Sequence, residues 1–420
     1  MTSKRKLFRY AASLIFATRE GYGYAAANRT SLINLKHGSQ KQRIAQLSPH
    51  VIQQKQSGIS HVKGIDVLFV QRSTESGFMP DSHVFPGGVL DKADYSTEWL
   101  ELFPKEARRS MEDTLVKKPP AERLPLYSGI PGDSIIGELA FRICAIREAF
   151  EETGILLARP IESISQALLG TQAPCYRLLK NIGEEWRKRV CDDASNFVQL
   201  FREIRCIPDV WSLIEWSNWL TPENLTRRYD TMFYLCCLEG KPPPMFNPSE
   251  VSKAEWLSVE ETLELNTQQQ LTLPPPQLTE LSNIKLLPTI HHLHLYGLYQ
   301  NMFASRVCLL PRRLLVDFTN QAGSMLYSLL PGDDLYPVET SPNTYQCANE
   351  ALKLTLQRSD HPLYEFTSTV KDNSHLVTHK MRRMMLEQMI IASYVDTVRT
   401  DDLISIISDI NDCIVPNSKL

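Results

Sequence analysis

Three glutamates stand close together in a segment whose apolar residues recur at helical spacing. Four apolar residues fall on one stripe when residues are placed 100° apart: Leu139, Ile143, Ile146 and Phe150. Glu148, Glu151 and Glu152 lie on the opposite side at i, i+3 and i+4, near enough to share one ligand. The pattern predicts a helix over about 138–153 that ends at Gly154, with one face in a core and the other face acidic.

The acidic face requires a source of positive charge. Like charges at this spacing repel one another, and no lysine lies one turn away to neutralise them. Carboxylate oxygens suit Mg²⁺ or Mn²⁺, ions that neutralise a pyrophosphate, orient a water and stabilise the leaving oxygen. We therefore expect Glu148, Glu151 and Glu152 to be catalytic metal ligands, and Arg147 to hold a glutamate through a bidentate contact. The alternative interpretation is a solvated acidic helix face.

The segment resembles a known signature. Residues 147–155, R-E-x-x-E-E-x-G-I, resemble the core of the Nudix box, Gly-x5-Glu-x7-Arg-Glu-U-x-Glu-Glu-x-Gly-U, in which U is a bulky apolar residue. The P-G-G sequence at 86–88 resembles the opening of the box. Arg147 follows Gly88 by 59 residues, where an ordinary box has fourteen, so about 45 residues are inserted. Glu138 resembles the first glutamate of the box but lies one residue too far upstream.

The interrupted box is similar to that of the peroxisomal acyl-coenzyme A diphosphatases within the Nudix family. Further matching stretches lie at 219–222, 227–231, 273–277 and 330–336. The resemblance implies a Nudix α/β/α sandwich with a mixed sheet. It also implies hydrolysis of coenzyme A and acyl-coenzyme A to adenosine 3′,5′-bisphosphate and (acyl-)4′-phosphopantetheine. Two other functions stay open: a Nudix pyrophosphatase for NADH, ADP-ribose or capped RNA, and a Nudix-fold module that binds without catalysis.

Candidate substrate contacts come from the box opening and from nearby arginines. They are Gly87, Gly88, Arg72, Arg227 and Arg228. The glycines let the backbone approach a phosphate closely, and guanidinium groups bind phosphates well. Surface or structural roles are equally compatible with the three arginines. His291, His292 and His294 suggest a zinc site, but a partly buried helix with satisfied histidines is the better interpretation, because no second ligand cluster accompanies them.

The spacing of apolar segments predicts the domain organisation. Strand-like segments at 10–18 and 65–71 are separated by a polar stretch, so a Nudix domain is expected over 5–300 with insertions at about 21–63 and 91–137. A mostly helical C-terminal extension is expected over 301–420. The second insertion is either a solvated charged loop or a wall of the substrate cleft. In the second case its basic residues meet the 3′-phosphate of coenzyme A: Lys105, Arg108, Arg109, Lys117 and Lys118.

Composition and chain ends bear on partners and compartment. The 45 basic and 48 acidic residues leave a net charge of −3, which disfavours a nucleic-acid partner. No apolar run reaches the roughly 18 residues of a membrane span, and nine scattered cysteines are typical of a reducing compartment. Ser418-Lys419-Leu420 matches the tripeptide read by the peroxisomal import receptor, so we expect a peroxisomal protein. The alternative is a mitochondrial location, from the basic N-terminal segment.

Overall fold

The computed structural model describes eleven stretches of the chain. They are residues 8–19, 64–77, 79–116, 123–163, 174–179, 183–222, 225–246, 251–303, 308–318, 324–331 and 352–356. The predicted first insertion, the methionine-rich segment at 379–395 and the tripeptide at 418–420 lie outside these residues. Predictions about them stay predictions.

The centre of the fold is one mixed sheet of eight strands. Its members are β1 (Arg9–Arg19), β2 (Ile65–Arg72), β3 (His83–Val84), β4 (Gly87–Val89), β8 (Ile214–Leu220), β9 (Tyr229–Cys237), β10 (Val251–Ser258) and β11 (Cys308–Leu309). The strand order is β10-β2-β1-β9-β8-β11, with β3 beside β2 and β4 beside β1. The β1–β9 and β8–β11 pairs are parallel and the other pairs are antiparallel. The predicted α/β class with a mixed sheet is confirmed.

Helices cover both faces of this sheet. Side chains alternate along a strand, so Leu14 and Phe16 of β1 enter one core while Ile15 and Ala17 enter the other. The first core is shared with helix α3 (Gly137–Thr153), and the second contains residues of α7 (Pro275–Lys285) and α8 (Ile290–Phe303). The strand alternation therefore builds three layers, helix, sheet and helix.

Helix α3 is the predicted acidic helix, and it is more deeply buried than its stripe suggested. It ends at Gly154, whose φ of 69° is a left-handed conformation that glycine adopts without strain. Nearly all of its residues are buried, including the charged Glu138 and Arg142. The prediction of a single core-facing stripe was too narrow, because other segments pack over the side of α3 that faces away from the sheet.

The second insertion supplies part of this outer layer. It contains α1 (Glu98–Leu102), α2 (Lys105–Thr114) and 3₁₀ turns at Lys92–Tyr95 and Pro125–Gly129. Trp99, Phe103, Leu126 and Tyr127 are at most 3% exposed and belong to the same core as α3. A solvated loop is therefore the wrong interpretation of the described part, because a few large apolar side chains anchor an otherwise polar segment. Lys117 and Lys118 lie outside the described residues.

The remaining elements complete the layers. Helices α4 (Gly183–Asp192), α5 (Asn196–Glu203) and α6 (Val259–Thr267) lie in the Nudix region, and β5 (Leu156–Pro160) pairs with β6 (Tyr176–Arg177) and β7 (Cys206–Pro208). After α8, the described residues form β11, β12 (Arg312–Phe318), β13 (Ser324–Leu329) and β14 (Leu352–Leu356). The prediction of a mostly helical extension is wrong for this part, because β12 pairs with both β13 and β14 in a second sheet. No helix among the described residues is long and apolar enough to cross a membrane.

Candidate active site

The two glycines of the box opening lie directly against the glutamates of α3. The backbone N–H of Gly87 donates to Oε2 of Glu152 at 2.9 Å. A Cβ atom at Gly88 would lie 2.5 Å from the carboxylate of Glu148, and one at Gly87 would lie 2.5 Å from the carbonyl oxygen of Ala12. The backbone of β1 leaves no room for a side chain at Gly87, and a side chain at Gly88 would displace the Glu148 carboxylate. The tertiary structure thus brings the predicted glycine loop and two of the predicted metal ligands into one place.

Arg147 contacts three carboxylates of the acidic cluster. Its Nε and Nη2 donate to the two carboxylate oxygens of Asp94 at 2.8 and 2.9 Å, while Nη1 lies 2.8 Å from Glu151 and 2.9 Å from Glu148. Nη2 also donates to the carbonyl of Val89 at 3.1 Å. Burial alone would lower the pKa of Arg147, but Asp94 and Glu148 beside it raise that pKa well above its usual value. The bidentate contact predicted with a glutamate is made with an aspartate instead.

Asp94 is a site residue that the sequence interpretation missed. It lies six residues after Gly88, which is the Gly-x5-acid spacing of an ordinary box, with aspartate in place of glutamate. Its own backbone turn is capped by Asp91, whose side chain accepts from the N–H of Ala93 at 2.8 Å. The inserted residues therefore enter after Asp94, and the preserved spacing was the signal that could have located it.

Glu138, the residue compared with the first glutamate of the box, has a different partner. Its two carboxylate oxygens each lie 2.6 Å from the guanidinium of Arg123 in the insertion. The Glu138 side chain is 2% exposed. This pair joins the insertion to the first turn of α3, so Glu138 has a structural role.

The carboxylate cluster carries excess negative charge. Glu148 is partly buried, at 15% exposure. Burial raises its pKa most, the charge of Arg147 lowers it, and repulsion from Glu151 and Asp94 raises it further, so that the pKa is about 7. Three carboxylates, those of Asp94, Glu148 and Glu151, thus contact one guanidinium. A fourth, that of Glu152, binds the adjoining glycine loop. A hard divalent cation matches this donor set in charge and in ligand chemistry.

The three predicted metal ligands do not converge on one point in the structure. Among the described residues, no group of three or more His, Cys, Asp or Glu side chains is arranged to hold a metal ion. The carboxylate of Glu151 accepts a hydrogen bond from Arg147, and that of Glu152 accepts one from the backbone N–H of Gly87. Rotation of these side chains would be needed to present their oxygens together. In α8, His292 is buried and its Nδ1 lies 2.7 Å from the hydroxyl of Thr289.

A cavity of about 280 Å³ opens beside the glycine loop. Gly87, Gly88 and Arg72 are among the residues that line it. Arg227 is exposed, and its guanidinium packs beside Gly77 outside the lining. Arg228 is 7% exposed and its Nε donates to the carbonyl of Thr221 at 3.0 Å, which supports a turn. The structure therefore places three of the five candidate substrate contacts at the cavity and two away from it.

The family model and the curated relatives that match this chain point to the same family. A family model described as the NUDT19 Nudix domain matches residues 39–284. Acyl-coenzyme A diphosphatase NUDT19 of Gallus gallus is 41% identical over 65% of this chain and 73% of its own length. The protein of the same name from Xenopus laevis is 31% identical over 85% of this chain and 90% of its own length. A Nudix hydrolase structure from Alicyclobacillus acidocaldarius aligns distantly, with a TM-score of 0.44 and 18% identity over 68% of this chain and 94% of that one.

Proposed function

The chain belongs to the NUDT19 family of Nudix hydrolases, and we propose that it hydrolyses the pyrophosphate bond of coenzyme A and acyl-coenzyme A. The main observation behind the proposal is that the Gly87-Gly88 loop contacts Glu148 and Glu152, and that Glu148 is in turn paired with Arg147. The relatives' names supply the substrate class. The products would be adenosine 3′,5′-bisphosphate and (acyl-)4′-phosphopantetheine.

A divalent cation, Mg²⁺ or Mn²⁺, is the cofactor that the donor set fits. Glu148, Glu151 and Glu152 would hold it, because their oxygens are the hard ligands that such ions prefer. When bound, the ion neutralises charge on the pyrophosphate and on the leaving phosphate oxygen. Burial, together with repulsion from Glu151 and Asp94, raises the pKa of Glu148, and a bound cation would favour the charged form of this carboxylate.

The chain's own residues position the reacting groups. Arg147, held by both oxygens of Asp94, fixes Glu148 and Glu151 through Nη1 and so limits where their free oxygens can point. Glu152 ties the last turn of α3 to the glycine loop. Arg72, in the wall of the adjoining cavity, would contact a phosphate oxygen of the substrate. Water adds to one phosphorus, the P–O–P bond breaks, and each half leaves with one of the two phosphates.

The deciding experiment is a substrate panel. Purified full-length protein is incubated with Mg²⁺ or Mn²⁺ and with coenzyme A, acyl-coenzyme A, NADH, ADP-ribose or capped RNA, and the products are identified by mass. We expect cleavage of the coenzyme A compounds, complete loss with a chelator and recovery when the ion is restored. Preferred cleavage of NADH, ADP-ribose or capped RNA would show a different nucleotide specificity. Absence of turnover on every compound would indicate a binding module.

We further propose that the protein works in peroxisomes. Support comes from Ser418, Lys419 and Leu420, the tripeptide that the peroxisomal import receptor recognises. A supply of acyl-coenzyme A in that compartment is compatible with the proposed substrate.

A further inference from the structure

The cavity beside the glycine loop is lined by three sequence stretches to which the acidic cluster assigns no role. They are the 219–222, 227–231 and 273–277 stretches, and each contributes lining residues. We propose that this cavity binds the pantetheine arm of the substrate and that the nucleotide half stays outside it. The proposal rests on the proposed function and assigns one half of that substrate to a defined place.

The floor of the cavity is a row of side chains on three neighbouring strands. Thr231 of β9 pairs in register with Ala11 of β1 on one side and with Trp219 of β8 on the other. The next residue of β1 on this face is Ser13, opposite Phe233. Ala11 on β1 and Thr231 on the middle strand β9 have small side chains, whereas Trp219 on β8 is large, and the cavity lies over the small ones.

One wall is fixed by a buried carboxylate. The indole Nε1 of Trp219 donates to Oε1 of Glu280 on α7 at 2.7 Å, and Trp216 donates to the other oxygen at 2.7 Å. Ser217 donates to Oε1 at 2.6 Å. Glu280 is 2% exposed and Trp219 is 4% exposed, so the indole is held in a single orientation. Rigid aromatic walls suit a cavity that selects the shape of its occupant.

The chemistry of the lining favours a long neutral group. Among the described residues that line the cavity, Arg72 carries the one charged side chain. The others are mainly apolar, and a few side chains with polar groups stand among them: Ser13, Thr221, Tyr229, Thr231 and Gln277. The pantetheine arm combines methyl and methylene groups with two amides, which need such occasional hydrogen-bond partners.

The nucleotide half is a poor match for the same lining. It carries the 3′-phosphate in addition to the phosphate left by cleavage, and burial of a second phosphate among proline, tryptophan and leucine side chains would be costly. The position of the glycine loop at the cavity also favours the pantetheine half. Gly87 and Gly88 line the cavity and contact the glutamates, so an arm in the cavity keeps its own phosphate beside the acidic cluster.

The test uses the two half-products as separate probes. Thr231→Leu fills the floor, and Thr267→Leu makes the same chemical change at an exposed position of α6 outside the lining. Binding of 4′-phosphopantetheine and of adenosine 3′,5′-bisphosphate is measured by calorimetry on the full-length protein with Mg²⁺ present. We expect Thr231→Leu to weaken phosphopantetheine at least ~10-fold and to change nucleotide binding less than ~2-fold. Thr267→Leu should change neither value.

Other outcomes overturn the inference. Selective loss of nucleotide binding would place the other half in the cavity, and equal or absent effects would show that the cavity does not distinguish the halves. If Thr231→Leu does not fold, Leu225→Ala serves instead, because Leu225 lines the cavity and is only partly buried. Failure of the wild-type protein to cleave coenzyme A would refute the proposed function. Cleavage without a selective binding defect would refute only the cavity assignment.

Discussion

Replacement of Asp94 by alanine tests whether the residue that precedes the insertion supports catalysis. Asp94 is 1% exposed and binds Nε and Nη2 of Arg147, which is 4% exposed. Removing one partner of a buried ion pair costs about 3–5 kcal/mol, because the other charge stays buried. Arg147 keeps its contacts with Glu148 and Glu151, so we expect the lower end, about 3 kcal/mol. Freed from Asp94, the guanidinium would also shift both glutamates, and kcat/KM should fall at least ~10-fold.

The matched control for this prediction is Asp91→Ala in the same turn. The Asp91 side chain is exposed and caps the turn by accepting from Ala93, so its loss should cost about 1 kcal/mol and leave kcat/KM unchanged. Stability is measured by urea unfolding and activity by release of adenosine 3′,5′-bisphosphate from coenzyme A. Asp94→Ala with wild-type activity and stability would refute the role assigned to the Asp94–Arg147 pair. Equal losses of activity in both variants would show that the turn matters and the ion pair does not.

Three further predictions concern the metal site, pH and targeting. Glu152→Gln should reduce turnover at least ~10²-fold, with an unchanged melting temperature because the amide oxygen can still accept from Gly87; near-normal Mg²⁺-dependent activity would contradict a ligand role. Burial raises the pKa of Asp230 to about 6 against the opposing bond from Asn218, so the folded state loses stability as pH rises from about 4 to about 6. Asp230→Asn should therefore stabilise the protein at pH 8 by up to roughly 3 kcal/mol and little at pH 4, and an equal gain at both pH values would contradict this cause. Deletion of Leu420 should leave a fluorescent N-terminal fusion in the cytosol, whereas continued collection in peroxisomes would exclude the tripeptide as the address.

Much of the fold was predictable because its signals are local. The stripe from Leu139 to Phe150 and the residue Gly154 fix the extent of α3, and the apolar segments at 10–18 and 65–71 correspond to β1 and β2. Periodicity depends on neighbours within a few residues, so these elements can be read without knowledge of the fold. The insertion was misjudged because it is rich in charged residues and prolines, although a few side chains such as Trp99 and Phe103 are enough to hold it in the core.

The chemistry of the site can be read from the residues alone: which helix is acidic, which loop is rich in glycine, and which residue types can bind a metal and a phosphate. The contacts that these residues make depend on the folded chain. Asp94 reaches Arg147 across 53 residues, Glu138 turns to Arg123, and strands from distant parts of the chain place Ala11, Thr231 and Trp219 side by side. Helical spacing states which residues share a face, but a contact between segments depends on how the whole chain packs and on which buried charges must then be paired.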